Sequence, residues 1–294
     1  MNPVLNFKKS KLDVRDKVLL FANQKLPEIF DMRNDLLPCR DQGDQGACYA
    51  YSAACVKEYQ EKKNYGFDGY FSPQFFYCNR ENLYDRDSEN DEGMYGRDVM
   101  KILLKVGICT ETSCPVNSVN NKNNISNSVF TEASNHTITG YASIRDLYSL
   151  KKSLTENGPA LIGFPVFNFT DQMWVKRQGD QDLGGHAMTV VGYNKEGFII
   201  RNSWGPLWAD NGYCIYKYKD WGVHYEIWST IDNLSSLDIY SEKNINKPTK
   251  DKQGEDKIPE NKQKETGLRR IISSVKQILI SCCAVLICYK LIKG

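Results

Sequence analysis

Residues 41–52 read DQGDQGACYAYS, and this stretch decides how the rest of the chain is interpreted. A glycine-rich loop runs directly into a segment of helix-forming residues, which places Cys48 at the first turn of a predicted helix. The N-terminal end of a helix stabilises an anion, so a thiolate here should form at a lowered pKa. Taken alone, a helix cysteine is more often an inert core residue, so Cys48 becomes informative only with suitable partners elsewhere.

Suitable partners lie far along the chain, in two short segments. Residues 184–187, GGHA, bring His186 into an apolar strand after two glycines that allow close backbone approach. Residues 201–205, RNSWG, place Asn202 beside a tryptophan at a strand end. A thiolate, a general base and a group that orients the imidazole form the set that a thiol nucleophile needs. The three segments together predict covalent catalysis by cysteine.

These motifs, in this order, resemble those of the papain family of cysteine peptidases, and the resemblance spans about Asp31–Trp228. His186 follows Cys48 by 138 residues, inside the ~130–150-residue window typical of the family. By analogy with the family, Cys48 is the nucleophile, His186 is its acid–base partner and Asn202 fixes the imidazole ring. Gln42 is then the side-chain donor to the oxyanion.

Other positions match the family in part. Trp204 resembles the residue that covers the bond between the histidine and the asparagine. Gln45 stands where the family pattern has a cysteine three residues before the nucleophile, so the disulfide which that cysteine would form is absent. Gly93 is the nearest match to the glycines of the family's cleft wall. Gly93 and Gly185 are therefore the predicted substrate-binding residues.

The order of local patterns indicates the fold class. Segments typical of helices are followed by segments typical of strands, which predicts an α+β fold with two packed subdomains. The family resemblance implies a helical left subdomain, a β-barrel-like right subdomain and an active-site cleft between them. The predicted helices span residues 47–63, 97–106 and 147–156, and the predicted strands span residues 160–164, 187–193, 197–201 and 213–218.

Charge composition and cysteine spacing argue against a nucleic-acid binder and against a metal-dependent protein. The 38 basic and 36 acidic residues leave a formal charge of +2, which argues against a dedicated nucleic-acid binder. Ten cysteines are present, but no CxxC pair recurs with zinc-ligand spacing, so neither a metal nor another cofactor is predicted. Cys78 and Cys114 are candidates for a disulfide, while most thiols should be free in a reducing compartment.

Residues 1–30 precede the family-like start at Asp31, and they are far fewer than the inhibitory propeptide of lysosomal relatives. In this respect the chain resembles the xylellain-type branch of the family. The segment is predicted to be inhibitory because it carries enough apolar side chains to fill part of a hydrophobic cleft. These side chains are Phe7, Leu12, Val18, Leu19, Leu20 and Phe21.

The predicted peptidase domain spans residues 31–240, and a different composition follows it. Residues 241–267 are rich in charge and poor in large apolar residues, which indicates a disordered linker. Within the tail, residues 268–294, the 19 residues Ile271–Tyr289 carry one charge, Lys276. As a helix they would extend about 28 Å, close to a hydrocarbon core of ~30 Å.

This tail predicts a single-pass C-terminal anchor in which residues 271–289 contact membrane lipid. An amphipathic helix lying at the interface is the alternative. The N-terminal residues show no apolar run long enough for a secretory signal, so the catalytic domain is expected on the cytosolic side.

The predicted function is that of a membrane-tethered cysteine endopeptidase. It would hydrolyse peptide bonds of protein or peptide substrates through a thiolate–imidazolium pair and an acyl-enzyme. Two alternatives remain open: a thiol transferase or isopeptidase on the same fold, and a non-catalytic papain-like membrane protein. The presence of all four candidate catalytic residues argues against the second alternative.

Overall fold

The computed structural model describes residues 5–82, 93–119, 122–231 and 239–241. Helices dominate the first half of the described chain and strands dominate the second, so the predicted two-subdomain α+β fold is confirmed. The helices are α1 (Cys48–Tyr65), α2 (Pro73–Cys78), α3 (Gly96–Lys105), α4 (Asn127–Ser134) and α5 (Leu147–Asn157). The strands are β1 (Phe7–Lys8), β2 (Lys17–Leu19), β3 (Phe30–Asp31), β4 (Met94–Tyr95), β5 (Gly140–Ser143), β6 (Ala160–Val166), β7 (Gly184–Tyr193), β8 (Gly197–Arg201), β9 (Tyr213–Lys217), β10 (Glu226–Ile231) and β11 (Ile239–Ser241).

Helix α1 is the central element of the helical part. It begins at Cys48 and ends at Gly66, which adopts the left-handed conformation with φ +72°. The helix extends two residues beyond the predicted range of residues 47–63 and stops before a glycine, which tolerates positive φ at a helix C-terminus. The helix is buried on several sides. Two of its buried side chains are charged and form a salt bridge, with Lys57 Nζ 2.9 Å from the Glu61 carboxylate. The rest of its inner surface packs on α2, α3 and β7.

The strands of the second half form one large sheet with the order β11-β2-β5-β10-β6-β7-β8-β9, and β3 pairs with the end of β7. Antiparallel pairing sets the register, so that Phe164 of β6 lies opposite His186 and Thr189 of β7 lies opposite Arg201. A bulge between Val190 and Gly192 bends β7 along its length. His186 and the end of β8 are thus held on adjacent strands.

The N-terminal segment contributes a strand to this sheet. Strand β2 pairs with β5 in parallel and with β11 in the antiparallel direction. Val18 and Leu19 are 1% and 0% exposed, because both side chains turn into the core. These two apolar residues, predicted to fill a cleft, pack inside the sheet instead. The segment therefore has two parts, and the part around β2 belongs to the fold of residues 31–231.

No disulfide joins any of the seven cysteines of the described residues, all of which are buried, so Cys78 and Cys114 are not joined. No helix among the described residues has the length and apolar character needed to cross a bilayer. The predicted anchor at residues 268–294 and all but the first residue of the predicted linker lie outside the described residues.

A substitution in β2 tests whether this strand supports the fold. Leu19→Ala is expected to lower the free energy of unfolding by ~2–5 kcal/mol, because it removes a fully buried side chain from the sheet. Urea denaturation followed by circular dichroism measures this. Leu12→Ala is the matched control, since Leu12 is 93% exposed. Equal stability of the two variants would contradict the assignment of β2 to the core.

Candidate active site

The loop before Cys48 is anchored to the chain that follows β8. The Gln42 N–H donates to the Ser203 carbonyl at 2.8 Å, and the Gly205 N–H donates to the Arg40 carbonyl at 3.1 Å. Gly43 has φ +61°, a left-handed turn that glycine adopts without strain. Cys48 itself is the first residue of α1 and 1% exposed. The loop is thereby fixed against the same segment that carries Asn202.

His186 and Asn202 are joined by a buried hydrogen bond of 2.7 Å between Nε2 and Oδ1. The Ser203 N–H also donates to Asn202 Oδ1, at 2.8 Å, which identifies that atom as the oxygen. Nε2 must therefore carry the proton of the neutral imidazole, and Nδ1 keeps a free lone pair. Among the described residues, no hydrogen-bond partner reaches Nδ1. This tautomer is the one required of a general base.

Trp204 lies over the imidazole. Its ring is stacked on that of His186, with centroids 4.5 Å apart and planes inclined by 29°. Phe169 and Trp208 pack against the indole at 5.7 and 5.6 Å, so the ring is held from both sides. An aromatic cover of this kind shields a hydrogen bond from competing water. Trp204 thus lies where the sequence analysis expects it.

The start of α1 and the start of β7 come together at Cys48 and Ala187. The Ala187 N–H, directly after His186, forms a hydrogen bond to the Cys48 sulfur. Burial nevertheless raises the pKa of Cys48 to about 11, although this N–H and those of Tyr49 and Cys48 lower it. Burial likewise lowers the pKa of His186 to about 4, against the raising effect of Asn202. The expected lowering of the Cys48 pKa is therefore wrong for this state of the cleft, because desolvation outweighs the helix N-terminus.

Gln42 is fixed at both atoms of its side-chain amide. Its Oε1 accepts from the Ser203 hydroxyl at 2.6 Å, and its Nε2 donates to the Gln45 carbonyl at 2.8 Å. One N–H of the amide remains for another acceptor. Ser203 is a neighbour of the site that sequence reasoning missed, although it directly follows Asn202. Gln45 was singled out only as the residue that replaces the family's cysteine, and its bond to Gln42 was not foreseen.

The N-terminal segment lies across this site. Asn6 forms a backbone bridge with Gly185, and its carbonyl oxygen lies so close to Gly93 that any side chain there would clash. A Cβ on Gly46 would lie 2.5 Å from the side-chain nitrogen of Asn6. Strand β1 continues the contact by pairing with β4 in parallel. The two predicted substrate-binding residues, Gly93 and Gly185, therefore contact the protein's own N-terminal chain.

Phe7 fills the adjoining pocket. Its ring stacks between Tyr49 and Tyr225, at centroid distances of 5.1 and 5.3 Å. A Cβ on Gly163 would collide with the ring, so this wall has to be a glycine. The Tyr49 hydroxyl donates to Glu226 at 2.8 Å. Phe7 was named in the sequence analysis only as an apolar residue, because no local pattern connects it to a pocket built from distant strands.

Two other cysteines and two other histidines have neighbours of their own. Cys55 packs with Val191 and Ile199, and Cys214 belongs to the core of the sheet. His136 is 3.3 Å from Glu61, and His224 Nδ1 is 2.9 Å from the Tyr216 hydroxyl.

Comparison with solved structures agrees with this architecture. Xylellain, a cysteine protease from Xylella fastidiosa, aligns with a TM-score of 0.67 at 23% identity, over 78% of this chain and 96% of that chain. Digestive procathepsin L 3 of Tenebrio molitor larval midgut aligns with a TM-score of 0.59 at 19% identity, over 75% of each chain. At these identities the likeness establishes the fold, and the expected resemblance to xylellain is confirmed.

Comparison with the sequences of related proteins also identifies cysteine peptidases. An uncharacterized peptidase C1-like protein of Acanthamoeba polyphaga mimivirus is 28% identical over 249 residues, covering 72% of this chain and 80% of the viral protein. Cysteine proteinase 3 of Entamoeba histolytica is 26% identical over 207 residues, covering 66% of this chain. The chain spans 64% of that proteinase and 59% of the cathepsin L-like peptidase of Aedes aegypti.

The family model described as papain family cysteine protease matches residues 26–231, more than two thirds of the chain. That interval contains the loop at residues 41–48, the strand that carries His186 and the turn that carries Asn202. The chain accordingly belongs to the papain family of cysteine proteases and is a papain-like thiol protease.

Proposed function

We propose that the protein is a cysteine endopeptidase in which Cys48 is the nucleophile and His186 the acid–base group. The observation that carries this proposal is the tautomer of His186, because the bond to Asn202 leaves Nδ1 unprotonated, and the next residue, Ala187, contacts Cys48 at the start of α1. A proton from the Cys48 thiol has an acceptor there. Without the Asn202 bond the imidazole would have no fixed tautomer or orientation.

In the first half of the reaction, the Cys48 proton passes to His186 Nδ1 and the sulfur attacks the carbonyl carbon of the scissile bond. A C–S bond forms, and the carbonyl electron pair moves onto oxygen. The Cys48 N–H and the second N–H of the Gln42 amide stabilise this oxyanion. As the intermediate collapses, the C–N bond breaks and His186 returns its proton to the leaving amine, which leaves an acyl-enzyme.

In the second half, His186 Nδ1 takes a proton from water and the resulting hydroxide adds to the acyl carbon. The C–S bond then breaks, and the proton returns to the sulfur. The stacked Trp204 keeps the His186–Asn202 bond dry through both halves. No step draws on chemistry other than that of the side chains named.

The thiolate–imidazolium pair is proposed for the open cleft. While Asn6 and Phe7 cover the site, burial favours the neutral thiol and the neutral imidazole, as the pKa of Cys48, about 11, and that of His186, about 4, indicate. Exposure to water and substrate removes this desolvation, so charge separation becomes less costly. The covered site should therefore react more slowly than the open site, because its thiol is less reactive and its cleft is partly filled.

We infer that residues 5–8 are the inhibitory part of the N-terminal segment. Asn6 lies against Gly46, Gly93 and Gly185, and Phe7 occupies the pocket between Tyr49 and Tyr225. Behind them, Ser10 accepts from the Arg97 N–H at 3.0 Å and donates to Glu226 at 3.2 Å. Arg97 also pairs with Asp16. These contacts hold the segment down, while β2 secures its far end to the sheet.

The C-terminal tail is proposed to be a membrane tether. The support is its composition: Ile271–Tyr289 is almost free of charge and long enough to cross a hydrocarbon core as a helix. A reducing compartment for the catalytic domain agrees with seven described cysteines that form no disulfide.

Substitution of the proposed nucleophile tests the mechanism. Cys48→Ala should abolish peptide hydrolysis while leaving the thermal midpoint nearly unchanged, since it removes one sulfur atom from a helix start. Cys55→Ala, in the same helix, is the matched control and should keep turnover at some cost in stability. An epoxide probe should form its adduct on Cys48. If Cys48→Ala keeps a tenth of the parental kcat, Cys48 is not the nucleophile.

Shortening the N-terminus tests the inhibitory contact. Deletion of residues 2–8 should raise kcat/KM on small peptides, because it frees the cleft and leaves β2 in place. Phe7→Ala should give a smaller rise, and Leu12→Ala, an exposed control, should give none. Deletion of residues 2–26 removes β2 as well and should lose stability. Unchanged activity after the deletion of residues 2–8 would show that these residues do not inhibit.

The same truncation should change the pH dependence of thiol alkylation. In the full chain, Cys48 should react slowly with iodoacetamide at pH 7 and faster towards pH 11, because its raised pKa keeps the thiol protonated below that value. The shortened chain should react at lower pH. Identical profiles for the two chains would contradict the role assigned to burial.

Fractionation of cells tests the tether. The full chain should stay with membranes through carbonate extraction, and a chain ending at Lys247, which retains β11, should be released. Ile280→Arg is the matched control, since a charge at the centre of the apolar run opposes insertion. Full-length protein in the carbonate supernatant would overturn the proposal.

A further inference from the structure

Gln45 occupies the position where the family pattern has a cysteine, and its side chain makes a connection of a different chemistry. The amide Nε2 donates to Gln74 Oε1 at 3.2 Å and to Asn117 Oδ1 at 2.9 Å. Gln74 lies in α2, and Asn117 lies in the segment after Cys114. The loop before Cys48 is therefore bound by hydrogen bonds to two other parts of the helical subdomain.

The acceptors of this connection are fixed in orientation. Gln74 Nε2 donates to the Val119 carbonyl at 2.5 Å, and Gln74 Oε1 accepts from the Asn117 N–H at 3.0 Å. Rotation of the Gln74 amide by half a turn would break both bonds. Its NH₂ group would then face the Asn117 N–H, and its oxygen would face the Val119 carbonyl. Gln74 is 4% exposed, so an unpaired amide there would be costly. Gln45 consequently faces an oxygen that cannot turn away.

The main chain of Gln45 carries this fixation to Gln42. Its carbonyl accepts from Gln42 Nε2 at 2.8 Å, and its N–H donates to the Gln42 carbonyl at 3.4 Å. On the other side, the Ser203 hydroxyl holds Gln42 Oε1. The direction of the remaining N–H of Gln42 is set by these two contacts. A shift of the Gln45 carbonyl would turn that N–H away from the oxyanion.

We propose that Gln45 is a positioning residue for the oxyanion site, and that its bonds to Gln74 and Asn117 hold the Gln42 amide in its working direction. This inference rests on the proposed role of Gln42. The hydrogen bonds of Gln45 tie the loop to the helical subdomain as a disulfide would. Unlike a disulfide, they do not depend on the oxidation state of the surroundings. Such a link suits a chain whose described residues contain no disulfide.

Substitutions of Gln45 in the full chain test the proposal. Gln45→Ala should lower kcat by ~5–20-fold with little change in KM, because only transition-state stabilisation is reduced. Gln45→Glu keeps the size but loses the donor, and should be at least as slow. Asn117→Gly removes one acceptor and tolerates the φ of +63°, so a loss of a few-fold is expected.

A double-mutant cycle separates positioning from general structure. Gln42→Ala should lower kcat by ~100–1000-fold, and adding Gln45→Ala should have no further effect, since its target is gone. Alkylation of Cys48 by iodoacetamide should be equal in all variants, because that reaction forms no oxyanion. The exposed Gln24→Ala, whose side chain bonds Lys152, is the control and should match the parent.

The outcomes distinguish a failure of the proposed role of Gln45 from a failure of the proposed role of Gln42. If Gln42→Ala leaves kcat unchanged, the oxyanion role of Gln42 fails. If Gln42→Ala is slow but Gln45→Ala equals the parent, or if the two losses multiply in the double variant, the positioning role of Gln45 is overturned and the oxyanion role stands. A loss of thermal stability in Gln45→Ala with slower alkylation would assign the residue a structural role only.

Discussion

The hydrogen bond between His186 Nε2 and Asn202 Oδ1 is the interaction on which the active site depends. It is made possible by the pairing of β7 with β8, which sets the two residues at matching ends of adjacent strands. The Ser203 N–H fixes the amide, and Trp204 covers the ring. One buried bond thereby determines the tautomer, the orientation and the free nitrogen of the imidazole. Burial makes this bond strong, and burial also holds the pKa of His186 below its usual value.

The loop that carries Gln42 is held from two directions by bonds of different origin. On one side, Ser203 belongs to the turn that carries Asn202, so the proposed base and the proposed oxyanion donor share a support. On the other side, Gln45 connects the loop to α2 and to Asn117. Polar connections of this kind must be fully paired, since each unpaired buried amide costs free energy. No disulfide among the described residues contributes to this support, although the Gln74 amide also reaches the Cys78 sulfur at 3.5 Å.

The N-terminal chain combines two roles that are separate in space. Residues 5–8 cover the site, whereas β2 is a buried strand between β5 and β11. Removal of the first part frees the cleft, but removal of the second part takes a strand from the sheet. The covering residues also exclude water, which explains why the thiol of Cys48 has a raised pKa despite its place at a helix start.

The sequence by itself determined whatever depends on near neighbours: the helix from Cys48 to the Gly66 stop, the strand that carries His186, and the identity of Cys48, His186, Asn202 and Gln42 as candidates. These signals are local because capping, periodicity and motif spacing are local. Tertiary structure alone decided the pocket for Phe7, the contact of Asn6 with Gly93 and Gly185, the insertion of β2 and the bonds of Gln45. Each of these joins residues tens to hundreds of positions apart, and no local pattern encodes such a pairing. The pKa of Cys48 depends on both kinds of information. The sequence shows the helix N-terminus, which lowers this pKa, but only the folded chain shows the burial that raises it further than the helix lowers it.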